Sequence, residues 1–394
     1  MRPTILLYGA TGFSGKLIAR ELANQLARCD LILGGRDEER VSELAEELEV
    51  DYRVLDLTSR EDVRDGLRDI KVVLNAAGPF AWTADRLAKV AIEVECSYVD
   101  INGEPDVYRR LDDLARHASQ RNCTLICGAG FWAAASNILL QKAVEELRQQ
   151  TPALSEIGAV RIGMSSIEWC SRGSVQTVWR SLREQVLVMR KGVPMDSAGV
   201  AMPARLMPWH EPVGKLEHRF DFREPGQVQP DMRVASAVSL VDTLAASFTL
   251  AQNDLVADSL ASYVEMDGTR RFLYQAGAWM APIAAIPGFR TLVQQPVEML
   301  GEGPSAKDRE ESPHHIVLEI EDTYRNPLLK WRWKTPNVYQ FTAQLAAEVA
   351  LRVGAGGIPA GWFTPSRALG GLDFGDAANP AEGVLRGTVL DRGM

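Results

Sequence analysis

The chain has 394 residues, more than one compact core usually holds, and about 150 residues per domain points to two or three domains. Apolar residues make up 46% and charged residues 24%, which excludes disordered, collagen-like and fibrous chains. Acidic residues outnumber basic ones by 52 to 43, for a net charge of -9, so nucleic acid is not an expected partner. Five cysteines in so long a chain make no disulfide scaffold and fit a reducing cytoplasm, the expected location.

Met1-Arg2-Pro3 leads straight into Thr4-Ile5-Leu6-Leu7-Tyr8 and a glycine loop, with no cleavage site. This reads as a first strand rather than a signal peptide. Two apolar stretches, Val234 to Ala251 and Ala276 to Ile286, are interrupted by Asp242 and Pro282 and are too short or too polar to span a bilayer. The second could touch a membrane surface.

Short apolar runs then alternate with amphipathic segments. The runs Ile5 to Tyr8, Leu31 to Gly34, Tyr52 to Leu55, Val72 to Asn75, Ser97 to Ile101 and Thr124 to Cys127 read as strands. Between them the pattern predicts helices over Phe13 to Ala27, Glu38 to Leu48, Arg60 to Leu67, Thr83 to Val94 and Asp106 to Arg121. Repeated strand–helix units of this length specify an α/β, doubly wound parallel sheet of Rossmann type. After about Gly130 the alternation stops. Helices are predicted over Ala134 to Gln149, Gln176 to Arg190 and Asn337 to Val353, with strands at Gly158 to Met164, Leu255 to Val264, His315 to Glu321 and Leu328 to Trp333. Val193 to Pro230, rich in Pro, Trp and His, reads as irregular. The expected organisation is a dinucleotide-binding domain over 1–130 and an inserted α+β substrate and oligomerisation domain over 131–336. A helix and tail over 337–394 would return to the first domain.

Strand one ends in Gly9-Ala10-Thr11-Gly12-Phe13-Ser14-Gly15, which opens directly into a helix. Small residues there permit a tight turn, close approach of backbone to a pyrophosphate, and helix–strand packing. The free N–H groups of the helix start would face the phosphates. Strand two ends in Gly34-Gly35-Arg36-Asp37. Arg36 suits the 2′-phosphate of NADP, and Asp37, which could instead mark NAD, reads more simply as the cap of the following helix. NADP is the expected cofactor, ahead of NAD. Asp56 could face the adenine amino group or cap a helix. Asn75-Ala76-Ala77-Gly78-Pro79 ends strand four with small residues, leaving Asn75, Ala76, Gly78 and Pro79 to line the ribose and nicotinamide side.

These segments resemble the saccharopine dehydrogenase-like oxidoreductases, trans-acting enoyl reductases included. The resemblance rests on the glycine loop, on Val73 to Phe80, and on Tyr98-Val99-Asp100-Ile101-Asn102-Gly103-Glu104. It continues in Gly301-Glu302-Gly303-Pro304-Ser305 with Arg309, in Tyr339 to Ala343, and in Phe363 to Gly370. It is dense over 1–130, sparse over 150–300 and visible again over 301–372. The resemblance implies a Rossmann domain with an inserted second domain and NAD(P)-dependent oxidoreduction. It also carries a departure: where the enoyl reductases have Gly-Phe-Asp-Ser-x-Pro-x-Asp, this chain has Gly130-Phe131-Trp132-Ala133-Ala134-Ala135-Ser136-Asn137. Both acidic positions and the proline are replaced, so neither substrate nor proton chemistry transfers directly.

Hydride transfer wants a proton source beside the nicotinamide. Glu104, at the end of strand five, His210, in Pro208-Trp209-His210-Glu211, and Tyr339, opening the last helix, are the candidates, each with a structural alternative: a helix start, a loop, and packing. His314-His315, Cys123 and Cys127 match no metal signature, and His117 sits on a charged helix. Trp132, Trp169, Trp179 and Trp209 would suit an apolar pocket, or ordinary packing. The expected activity is reduction of a C=C or C=N bond in a small molecule, an acyl or polyketide-like one by family analogy, in a homodimer. An amino-acid imine, with Arg172, Arg180 and Arg183 meeting carboxylates, is one alternative. An NADP(H)-binding sensor or scaffold without turnover is the other.

Overall fold

The computed structural model describes residues 2–166, 186–192, 205–211, 215–224, 227–237, 241–269, 303–369 and 389–393. Trp169, Arg172, Trp179, Arg180, Arg183, residues 276–286, Gly301-Glu302 and Gly370 lie outside them.

The elements run β1 (Thr4–Tyr8), α1 (Phe13–Ala23), β2 (Asp30–Gly35), α2 (Glu38–Leu48), β3 (Asp51–Val54), α3 (Arg60–Gly66), β4 (Val72–Asn75) and α4 (Phe80–Glu93). Next come β5 (Ser97–Asp100), α5 (Pro105–Asp112), α6 (Ala115–Gln120), β6 (Thr124–Ile126), α7 (Phe131–Gln150), β7 (Glu156–Met164), β8 (Val186–Gly192) and β9 (Arg205–Glu211). They continue with β10 (Glu217–Asp221), β11 (Met232–Ala237), α8 (Val241–Gln252), β12 (Val256–Glu265), α9 (Ala306–Glu311), β13 (His314–Glu321) and β14 (Pro327–Thr335). The last are α10 (Val338–Ala355), β15 (Gly361–Phe363), α11 (Pro365–Ala368) and β16 (Val389–Gly393). Two units result: Met1–Ala135 with Val338–Asp373, and Ser136–Asn337 with Phe374–Met394.

In the first unit a seven-stranded, wholly parallel sheet has the order β15-β6-β5-β4-β1-β2-β3. The unbroken apolar runs are explained by helices on both faces: Ile5, Leu6, Leu7, Val72, Val73 and Leu74 are fully buried. The chain leaves β3 and re-enters at β4 on the other side of β1, so the switch point lies beyond the ends of β1 and β4. Helix α10 packs beside α1. Tyr339 stands edge-on to Phe13 at 5.0 Å, and Arg28 grips buried Glu348 through its two terminal guanidinium nitrogens, at 2.8 and 3.3 Å. Burial would raise the Glu348 carboxyl, but hydrogen bonds from Arg28 and Arg352 outweigh it and hold it low.

The single helix expected over Asp106 to Arg121 is two. Leu114 N–H bonds to Leu111 three residues back, and this tighter turn separates α5 from α6.

In the second unit the sheet runs β10-β11-β12-β7-β13-β14-β16, with the β8–β9 hairpin joined to β12. Only β7–β12 is parallel among these described pairs. Val186 to Arg190, expected at the end of a helix, is strand, paired with β9 and β12. The region expected to be irregular supplies β9 and β10. Pro208, which has no N–H to donate, is accommodated because β9 pairs on one side, with β8.

One sheet face carries Ile316, Leu318, Trp331 and Trp333, all buried. On the other, the sheet curls until β10 reaches across it. Phe220 lies against Gly163, where a Cβ would stand 2.5 Å from the ring. Asp221 on β10 pairs with Arg332 on β14 at 3.3 Å, and His218 with Glu319 on β13 at 2.9 Å. The last segment divides, which corrects the expected return of the whole tail. Gly361–Phe363 joins the first sheet beside β6, whereas Val389–Gly393 pairs with β14, where Asp391 meets the nearly buried Arg332. Among the described residues no helix is long and apolar enough to cross a membrane.

Candidate functional site: a dinucleotide cradle in the first unit

The loop after β1 turns through Gly9 at φ +84, and its N–H donates to the Gly34 carbonyl at 2.9 Å. A Cβ on Gly9 would meet Ala77 at 2.7 to 2.9 Å, so this turn packs tightly on the one after β4. A Cβ on Gly15 would stand 2.1 Å from the Gly9 carbonyl oxygen, so α1 seats directly on the turn. Gly12, the N-cap of α1, has only that oxygen within reach, at 3.4 Å, and it supplies no side-chain cap.

The other helix starts nearby differ. Asp37 closes α2 by accepting from Arg40 N–H, Ser59 closes α3 by accepting from Asp62 N–H, and Glu104 takes the Phe80 and Ala81 N–H groups of α4 at 3.0 and 3.1 Å. Gly12 gives the start of α1 no side-chain cap, and the first turn holds no acidic residue. Its amides and dipole are arranged for an external anion. Thr11, Gly12, Phe13, Ser14 and Gly15 therefore fit a pyrophosphate.

At the adenosine end, Arg36 is exposed beyond β2. Its charge reaches Tyr8, whose phenol burial raises and Arg36 lowers, and Asp56. Asp37 accepts from Arg40 N–H as the cap of α2, the simpler of the two readings its position allows. Asp56 accepts from the Thr58 hydroxyl at 2.7 Å and N–H at 2.8 Å, and these bonds hold its carboxyl below the usual range. It stays exposed at the rim. Arg40 reaches back from α2 to the Thr11 carbonyl at 3.4 Å.

On the nicotinamide side, Ala76, Gly78 and Pro79 form the turn, with a cis bond between Gly78 and Pro79. Asn75 is buried and faces inward. Its amide donates to Thr83 and Tyr98 and its oxygen accepts from Ala77 N–H, so it shapes the turn from below. The chain of bonds continues from Tyr98 to Asp100 at 2.9 Å, and Asp100 accepts from Asn102 and Gly128 N–H. Asn102 in turn accepts from Glu104 N–H at 2.6 Å. Burial pushes the Asp100 carboxyl up to about 6, against these bonds. The ends of β4, β5 and β6 are thereby tied into one support, and the Glu104 carboxylate anchors α4.

Tyr339 is buried against Phe13. His210 lies exposed on β9 of the second unit, and neighbouring Trp209 is 53% exposed with the Arg190 guanidinium over its ring. Trp132 stands edge-on to Phe131 in the first unit. His314 is buried beside the Ser165 hydroxyl at 3.0 Å, and burial lowers it to about 4. One buried acid of the second unit was visible in the sequence only as an interruption of an apolar run. Asp242, at the start of α8, accepts from Ser136 at 2.7 Å; its other oxygen has no partner among the described residues, and burial raises its carboxyl to about 8.

A parallel doubly wound sheet with a cradle at its switch point, followed by a mixed-sheet unit, defines a two-domain dinucleotide-binding protein. Residues 5–153 match the saccharopine dehydrogenase NADP binding domain. A trans-acting enoyl reductase from Mycobacterium ulcerans is 27% identical over 189 residues, 45% of this chain and 44% of the relative. A lipid droplet localized protein from Caenorhabditis elegans is 25% identical over 142 residues, 33% of each. The chain thus spans less than half the length of these relatives. Among solved structures, saccharopine dehydrogenase (L-Glu forming) from Saccharomyces cerevisiae superposes with a TM-score of 0.59 over 93% of this chain and 95% of that one, at 13% identity, a likeness of fold.

Proposed function

We propose that the protein is an NADPH-dependent reductase acting on a C=C or C=N bond of a small molecule. The observation that carries this reading is the start of α1, without a side-chain cap and facing the switch point, with Arg36 at the end of β2. When bound, the cofactor supplies a hydride from its nicotinamide. The amides of Ser14 and Gly15 and the dipole of α1 hold the pyrophosphate, and Arg36 pairs with the 2′-phosphate. The Ala76–Pro79 turn, fixed from beneath by Asn75, Asp100 and Glu104, presents a rigid wall on the nicotinamide side. An unsaturated acyl substrate is favoured by the enoyl-reductase relatives. Trp132 and Asn137, standing where those enzymes are acidic, favour a second reading, an NADP(H) sensor without turnover.

A panel of enoyl thioesters and cyclic imines, followed by NADPH absorbance, separates the two. Consumption with an acceptor supports the reductase; stoichiometric NADPH binding with no consumption across the panel supports the sensor. Arg36→Ala should weaken NADPH by about 10-fold or more and NADH by less than about threefold, as expected for a charge-assisted bond. Equal losses in titration would remove the NADP assignment.

A further inference from the structure

The first unit carries a cavity of about 240 Å³ in its helix layer, between the side of α3 and the second and third turns of α4. Its floor is apolar, formed by buried Leu57, Val63 and Val90. Its rim is cationic, with Arg60 from α3 facing Arg86 and Lys89 from α4. The carboxylates at this rim are shared. Glu93 takes both Arg60 and, at 3.9 Å, Arg64, while Asp85 takes Arg110 at 3.1 Å and Lys89 at 3.6 Å. Arg86 has no ion pair among the described residues. Its Nη1 donates to the Leu57 carbonyl at 3.2 Å, and its guanidinium lies 4.3 Å over the Trp82 ring. Asp56 feels the charge of Arg86 but gives both carboxylate oxygens to Thr58, and Glu61 and Asp62 are exposed outside the lining. A surplus of cations thus gathers over an apolar floor in a chain whose net charge is -9. Exposed ion pairs of this kind hold weakly, so an incoming anion can share these cations at little cost.

We propose that this cavity is a second ligand site, which binds a small phosphate monoester by its phosphate group. Such a group carries nearly two negative charges and several acceptor oxygens, which suit a guanidinium fork with further cations beside it. Arg86, steadied by the Trp82 ring, presents the fork. Lys89, three residues on along the same helix, and Arg60, from across the groove, supply the rest of the charge, and the floor receives the carbon body. The site is separate from the dinucleotide cradle, since none of Gly9 to Gly15, Arg36 or Ala76 to Pro79 lines it.

The test is calorimetric titration of the full chain with inorganic phosphate and with glycerol phosphate, each alone and at saturating NADPH, which fills the cradle. Both probes should bind in both conditions. Arg86→Ala and Lys89→Glu should each weaken them by about 10-fold or more, and NADPH by less than about threefold. Arg86→Lys should recover part of the loss, because it restores charge without the fork. Both side chains are exposed, so the variants should keep the wild-type Tm. Phosphate binding that vanishes once NADPH is bound would belong to the cradle and overturn the inference. Equal affinity in wild type and both charge-removing variants would overturn it too, as would no saturable binding up to about 10 mM.

Discussion

Gly15→Ala should unsettle the first unit and abolish NADPH binding together. The new methyl would stand 2.1 Å from the Gly9 carbonyl oxygen and 2.9 Å from that of Ala10, both backbone atoms that cannot swing aside. Helix α1 must lift off its turn, at a cost of about 3 kcal/mol for forced overpacking, which lowers Tm by roughly 6–12 °C in a unit of this size. Gly12→Ala is the control. Its methyl meets one atom at ordinary contact distance and its φ of -74 suits any residue, so Tm should hold while NADPH weakens, the methyl standing where a phosphate would approach. Thermal melts and titrations of both variants decide the matter. Matched losses of affinity and Tm in Gly12→Ala would refute an open phosphate cradle.

Asp242→Asn should stabilise the second unit, and increasingly so as pH rises. The folded carboxyl keeps its proton up to about pH 8, whereas the unfolded one releases it near 3.8. Between those values unfolding releases a proton, so wild-type stability falls with rising pH and levels off above about 8. The integrated loss is roughly 4–6 kcal/mol. An asparagine can still accept from Ser136 and carries no charge to bury, so the variant should lose this slope. Denaturant curves at pH 5 and pH 8.5 measure the divergence; parallel profiles for the two proteins would show that Asp242 is ionised in the folded state.

The strands of the first unit were legible because both sheet faces are covered. Burial on two sides leaves uninterrupted runs such as Ile5 to Leu7, and the helices between them show one apolar stripe. The second unit was less so. Val186 to Arg190 contains Leu, Val, Met and Arg, which a helix tolerates equally, and only its partners β9 and β12 make it a strand. Pro208 and His210 read as loop because an edge strand tolerates what a central one rejects. At the site, Gly9, Gly15 and Arg36 announce themselves by type and position. Arg40 does not, since a basic residue on a charged helix looks like a solvated face until its reach to Thr11 is known. A signal was present nonetheless: it lies in the first turn of the helix that follows Arg36. Glu104 was weighed as a proton donor, and the turn of α4 that it closes belongs to a different strand–helix unit, which no local spacing could reveal.

The pairing of β14 with β16 has a consequence for how the protein is made. During synthesis β7, β13 and β14 emerge well before Val389–Gly393. Until then the outer rim of β14 offers a row of unpaired amides and carbonyls, the kind of template on which chains join one another. Crowded ribosomes would bring such rims together. Lys330, Arg332 and Lys334 alternate along this strand and pair with Glu319, Asp221 and Glu224, all made earlier, so one face of β14 is already held by its own chain before the missing strand arrives.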